Sequence, residues 1–160
     1  MEIRKTTLKD LHNVMNIYKV ARKNMIKNNN PTQWGKRFPK RSWIINDIKN
    51  NNSYVILDNN NIVGVFSLLF GSDPTYSYIE GKWINDLPYA TIHKVASNCT
   101  SKNILKTIID YSFTKINNIR IDTHQDNKIM IHLLEKYKFT FCGIIYVRNH
   151  SPRLAYQKII

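Results

Sequence analysis

The segment SNCTSKNI, Ser97 to Ile104, joins an apolar β-branched run, YATIHKVA, to a periodic run, ILKTIIDYS. Read physically, this is a strand, a short polar turn and a helix. The first amides of a helix have no internal acceptor, and the helix dipole places partial positive charge beside them. Such a terminus therefore favours an anion, a phosphate above all. A phosphate-cradling turn is normally rich in glycine, yet this one contains none. It offers backbone amides, the hydroxyls of Thr100 and Ser101, and the cation of Lys102. The structural reading beside this chemical one is an ordinary strand–helix junction with a Ser/Thr cap. The two cysteines, Cys99 and Cys142, have neither disulfide-framework nor zinc-site spacing, so both are read as reduced thiols of a cytoplasmic protein.

The elements that must position this turn are legible from periodicity. MEIRK reads as a short strand, and Thr7 with Asp10 as a capping box. Leu8, Leu11, Met15, Tyr18 and Met25 follow at helical spacing, and the helix ends in KNNNP. After the loop NPTQWGKRFPK, Ser42 could cap a second helix reaching about Asn50. SYVILD and IVGVFSLLFG are strand runs joined by Asn59 to Asn61, and asparagine tolerates the left-handed backbone of a tight hairpin. GSDPTYSYIEGKWINDLP reads as irregular. Beyond the strand YATIHKVA, a helix is expected from about Lys102 to Ile116, then a strand, IRIDT. A last helix begins near Asp126, with Met130, Leu133, Leu134 and Tyr137 on one face. FTFCGIIYV and RLAYQKII close the chain as a hairpin around RNHSP.

One strand–helix–strand crossover thus lies between antiparallel hairpins. A crossover of that length implies two parallel neighbouring strands with a right-handed connection. The expected fold is α/β (α+β): a mostly antiparallel mixed sheet with flanking helices, in one domain over residues 1–160. Its central parallel pair is a place where strands can splay.

Composition is that of a globular chain, with 42% hydrophobic and 22% charged residues and no apolar run long enough to cross a bilayer. The N-terminus MEIRKTTLKD lacks the apolar stretch of a secretory signal. A net charge of +13 could serve nucleic acid, an anionic membrane or a polyanionic cofactor. Lysine, however, is scattered with Asn and Ile along the chain, and only GKRFPKR concentrates cations near an aromatic. The scatter favours compositional drift over a nucleic-acid stripe.

Three segments, YATIHKVAS, IRIDTHQDNKIMIHLLEKYKF and CGIIYV with SPRLAYQK, resemble the GNAT superfamily of acyl-CoA-dependent N-acetyltransferases. They look like a small bacterial or archaeal subgroup with the patterns IHRxA, RIDTHxDNxxM and CGIIY. The resemblance runs over essentially the whole chain. It implies an acetyl-CoA site between the parallel strands and no metal. The pantetheine arm would pair with Lys94, Val95, Ala96 and Ser97, and the diphosphate would lie over Ser101, Lys102, Asn103 and Ile104. Asn127 would contact the pantetheine, or cap its helix, or both. Cys99 and Asn103 stand where such relatives carry glycine. Arg120, Ile121 and Asp122 are read as structural.

Acetyl transfer to an amine needs a proton acceptor near the working pH and a polarised carbonyl. Ala96 is the candidate amide for the carbonyl. Glu80, Asp86, His93 and His124 are the candidate bases, each of which could instead be a solvated carboxylate or a hydrogen-bonded core histidine. Many GNAT enzymes take their acid from L-Y-E-K-x-G-F; here the stretch is LLEKYKF, so Leu134 holds the tyrosine slot and Lys138 the glycine slot. Tyr137 is three residues further on, leaving Tyr89, Tyr146 or water as donor, and Cys142 is read as a small buried hydrophobe. Trp34, Phe38, Trp43, Tyr76, Tyr78 and Trp83 flank the cleft mouth or pack its loops. Asp73, Glu80 and Asp86 hint at a cationic acceptor. The expected partner is a small-molecule or peptide amine, with no membrane or nucleic acid, and a homodimer is compatible with the pattern. The rival readings are a coenzyme A sensor of the same fold and a basic nucleic-acid-binding protein.

Overall fold

The computed structural model describes all of residues 1–160. Eight strands form one sheet: β1 (Glu2–Lys5), β2 (Ser53–Asp58), β3 (Asn61–Phe70), β4 (Glu80–Gly81), β5 (Ala90–Ser97), β6 (Asn118–Thr123), β7 (Thr140–Tyr146) and β8 (Pro152–Ile159). Four helices flank it: α1 (Leu11–Lys27), α2 (Arg41–Lys49), α3 (Ile104–Phe113) and α4 (Lys128–Lys136). The strand order is β1-β2-β3-β5-β6-β8-β7-β4. Every neighbouring pair is antiparallel except β5 with β6.

Alternation along the central strands divides the core. Ile92, Ile119 and Ile121 face α3 and α4, packing with Leu105, Ile108 and Leu134. Val55, Val65 and Ala96 face α1 and α2, packing with Val14, Tyr18 and Ile44. A third cluster, Tyr76, Trp83, Tyr89, Cys142, Ile145 and Ala155, fills the far end of the second face. The apolar positions read from the sequence are therefore what bury each helix against the sheet.

Local chemistry sets the boundaries. Asn59 and Asn60 both take left-handed backbone, φ 48° and 64°, and close the β2–β3 hairpin as expected. The Asp10 carboxylate accepts the Thr7 amide (2.8 Å) and both arms of Arg4 (2.7 and 3.0 Å). Leu8–Asp10 is accordingly a 3-10 turn ahead of α1. Helix α2 begins at Arg41, with Lys40 rather than Ser42 at the extended capping position. Helix α3 starts at Ile104, two residues later than expected, because Asn103 is left-handed at φ 62° and cannot be helical. It stops at Phe113, before the expected Ile116. The short β4 was not foreseen in its aromatic segment. It forms because Gly81 lies against Gly143 of β7, and a Cβ on either would overlap the other strand's backbone. No helix is long and apolar enough to cross a membrane.

Candidate active site

Strands β5 and β6 pair only through Ala90–Ile119, Thr91–Arg120 and Ile92–Ile121. Beyond Ile92, β5 continues to Ser97 with no β6 partner, so its edge toward β6 is open over His93 to Ser97. On its other edge β5 carries a bulge against β3. Ser67 pairs with His93 and Val65 with Ala96, so one extra β5 residue is accommodated, and Lys94 takes φ 53°. The bulge breaks strand alternation, allowing consecutive His93 and Lys94 to reach groups on the same face. Lys94 Nζ meets Asp47 Oδ2 of α2 at 2.8 Å, the oxygen that also accepts the Ser67 hydroxyl. The Lys94 carbonyl accepts the buried Tyr18 hydroxyl at 3.1 Å, clamping the bulge to α1.

His93 is held by carboxylates. Its Nε2 donates to Asp73 Oδ2 at 2.8 Å, and its Nδ1 lies 3.8 Å from Asp122 Oδ1. Burial would raise the Asp73 carboxyl, but the hydrogen bond and charge of His93, with the Thr75 donors, outweigh it and hold it at about 2. Tyr76, whose buried phenol is pushed well above its ordinary range by burial and then by Asp122, donates to Asp122 Oδ1 at 2.6 Å. His93, Asp73, Thr75 and Asp122 open on a cavity of about 700 Å³ that spans the β5–β6 gap, with Tyr76 packed behind them. Trp34, Phe38 and Trp43 wall it, in a series of ring contacts that continues from Tyr18, edge-to-face at Tyr18–Trp34 and Phe38–Trp43 and tilted between Trp34 and Phe38.

At the helix end of the gap, Cys99 and Asn103, the two expected glycine slots, both take left-handed backbone, φ 63° and 62°. The amides of Cys99 and Thr100 are satisfied locally by Ser97 Oγ (3.3 Å) and Asn98 Oδ1 (3.1 Å). Those from Ser101 to Lys106 donate to no acceptor in the protein. The Ser101 hydroxyl donates to Asp58 at 2.7 Å, so this residue presents its amide and not its side chain; Lys102 is exposed and unpaired. Asn127 caps α4 through the Met130 amide (3.1 Å) while its Nδ2 donates to Gln33 Oε1 (3.0 Å) at the cavity wall.

The remaining expected site residues lie elsewhere. Glu80 is exposed on β4, bonded to the Tyr146 hydroxyl at 2.8 Å, and does not line the cavity. Asp86 is exposed beside Asn85, which bonds Asn118, Arg120 and Gln157 at the closed, paired end of β5 and β6. His124 is turned aside: its Nδ1 accepts the Asp126 amide at 3.0 Å, and burial, then Arg153, lowers its pKa. Tyr76 and Trp83 pack the third core cluster, and Tyr78 is exposed, so only half of the expected aromatics meet the cavity. Leu134 is fully buried among core residues. No three His, Cys, Asp or Glu side chains are grouped to hold a metal ion.

Sequence reading missed Asp47, Asp122 and Arg153 as cavity residues, and took Asp73 only as a hint of acidity. The alternation of β6 could have placed Asp122 on the face of Arg120, opposite buried Ile121. Nothing in the sequence marks the bulge at Lys94 that follows His93.

No protein-family model matches this chain, and no curated protein matches it. Solved structures do. An acetyltransferase of the GNAT family from Streptococcus agalactiae superposes with a TM-score of 0.91 at 28% identity, over 99% of this chain and 95% of that one. A ribosomal-protein-alanine N-acetyltransferase from Brucella melitensis gives 0.65 at 18% identity, over 100% of both chains. A GNAT phosphinothricin acetyltransferase from Sinorhizobium meliloti, solved in complex with AcCoA, gives 0.66 at 12% identity, over 99% and 88%. At such identities the last two speak to the fold alone. The mixed sheet with one parting parallel pair is the acyltransferase fold of these proteins. The chain has the fold of the GNAT acetyltransferases and shares 28% of its residues with one of them over nearly its whole length.

Proposed function

We propose that the protein moves an acetyl group from acetyl-CoA directly to a primary amine of a small molecule or peptide, with His93 as proton acceptor. The observation that carries this reading is the parting of β5 from β6 after Ile92 and Ile121, with His93 the first residue beyond it. Three features fit a long phosphorylated thioester. They are the open β5 edge, the free amides from Ser101 to Lys106, and the buried hydroxyl of Thr123, which lines the gap without a partner. Asp58, bonded to Ser101, opposes an anion there, and Lys102 offsets it.

Acetyl-CoA supplies an activated acyl carbon: the C–N bond to the amine forms, the C–S bond breaks, and the sulfur leaves as a thiol. Residues Lys94 to Ser97 offer backbone polar groups along the gap; Asn98 and, by alternation, Ala96 turn their amides to β3, so Val95 and Ser97 replace Ala96 as the candidate amides to polarise the carbonyl. The amides from Ser101 to Ile104, with Lys102, bind diphosphate, and Asn127 faces the arm from α4. Asp73 fixes the His93 tautomer by accepting from Nε2, leaving the Nδ1 lone pair to take the amine proton. The imidazolium so formed is flanked by Asp122 as well as Asp73. No tyrosine stands ready to protonate sulfur. Tyr76 is committed to Asp122, Tyr146 to Glu80, and Tyr89 is buried in the third core cluster and does not line the cavity. The proton therefore returns from His93 or arrives from water.

The test is acetyl-CoA with a panel of amines, read for thiol release beside thermal stabilisation. Turnover that His93→Gln cuts by about 100-fold or more, with stabilisation retained, supports the reading. Loss through Glu80→Gln or Asp86→Asn with His93→Gln unaffected moves the base. Stabilisation without turnover makes the protein a sensor. Salt-sensitive nucleic-acid binding with no stabilisation returns the charge-driven reading.

A further inference from the structure

The charges around the cavity are not evenly answered. Asp47 is paired with Lys94, and Asp73 with His93. Arg153, on β8, has no such partner. It is 7% exposed and lines the cavity, yet no carboxylate lies within ion-pair distance of it. Two of its five N–H groups are used, on the Pro152 carbonyl (2.9 Å) and the Gln33 carbonyl (3.3 Å). Burial depresses its pKa and distant Asp122 only partly restores it. An almost fully buried guanidinium answered only by neutral carbonyls is costly unless something anionic completes it.

Position says what that anion belongs to. Ala155 of β8 pairs with Asp122, and Arg153 stands two residues before Ala155 on the same face, next to the β7–β8 loop that contributes exposed Arg148. The cavity thus has an acidic pole at Asp73 and Asp122, where an ammonium group is drawn and then deprotonated by His93. Its basic pole lies at Arg153 and Arg148. The rings of Trp34, Phe38 and Trp43 line the same cavity.

We infer that the acceptor is an amine that also carries a carboxylate, taken by the guanidinium fork of Arg153 while the amine lies at His93. This rests on the acetyltransferase reading above. A fork of parallel donors matches a carboxylate in a way a lysine cannot, and losing one partner of such a pair leaves the other buried and unanswered.

The experiment compares amino acids with the amines that lack only the carboxylate: phenylalanine with phenethylamine, tryptophan with tryptamine, and an ω-amino acid with its alkylamine. Thiol release from acetyl-CoA is the readout. In at least one pair the acid is preferred by about tenfold or more in kcat/KM, carried by KM. In Arg153→Gln that ratio falls toward one, and Arg153→Lys recovers it only in part. Stabilisation of each variant by acetyl-CoA reports that it is folded. Transfer with no preference for the acid, or a preference that Arg153→Gln leaves intact, overturns this inference and leaves the acetyltransferase reading standing. Transfer to no acceptor overturns both.

Discussion

Asp73 and His93 are separated by 20 residues, yet Oδ2 of one accepts from Nε2 of the other at 2.8 Å, across the β3–β5 connection and the open end of β5. That bond fixes which ring nitrogen is free. Asp73→Asn keeps the shape and loses the charge that steadies the imidazolium. Its kcat falls by roughly tenfold or more while stabilisation by acetyl-CoA is retained. Equal loss of turnover and of coenzyme binding would make Asp73 a structural residue instead.

The same bond has a pH signature. Asp73 titrates at about 2 in the fold, below the usual carboxylate value, so its stabilisation is complete above about pH 4 and is lost as the pH falls toward 2. His124 acts at higher pH. Its folded pKa is depressed, so the unfolded chain binds the proton first, and stability declines as the pH drops below about 6.5. Melting temperatures across pH test both. Asp73→Asn flattens the lower limb and His124→Gln the upper one, and an unchanged profile in either variant contradicts the assignment.

Lys138 occupies the left-handed position after α4, φ 63°, closed by the Phe139 amide on the Leu134 carbonyl and the Lys138 amide on Glu135. A side chain there costs about 1 kcal/mol, so Lys138→Gly stabilises by about 0.5–1 kcal/mol in denaturant melts. Cys99→Gly relieves the same strain in the turn before α3 and removes a side chain from the diphosphate approach. Its Kd for acetyl-CoA drops several-fold, whereas that of Lys138→Gly does not change.

Leu134 fills the slot of the family's tyrosine, but its side chain is fully buried with Phe139 and Tyr156. Leu134→Ala costs about 2–5 kcal/mol. Leu134→Tyr overpacks the core by about 1–3 kcal/mol and does not raise kcat. A faster, equally stable Leu134→Tyr would show that the slot opens onto the thiol after all.

The sequence carried most of this architecture because its signals are local. Paired asparagines made the β2–β3 turn, and alternating apolar residues placed Ile92, Ile119 and Ile121 on one face. The glycine slots at Cys99, Asn103 and Lys138 came from the resemblance alone, and all three residues take left-handed backbone. The two-residue β4 was hidden because its pairing depends on Gly143, 62 residues after Gly81. The arrangement around His93 was hidden for a related reason. His93 meets Asp73, which lies 20 residues away in the β3–β5 connection, and Asp122 of β6, whereas Glu80 and Asp86 of that same connection fall outside the cavity, and no local signal separates these carboxylates.

The central claim is that the parting of β5 and β6 is where coenzyme lies, and amide hydrogen exchange with and without acetyl-CoA tests it most directly. The account predicts new protection at two places together, the open β5 edge at Val95 and Ser97 and the free amides from Ser101 to Lys106. Protection confined to other surfaces, or none at saturating acetyl-CoA, would contradict it.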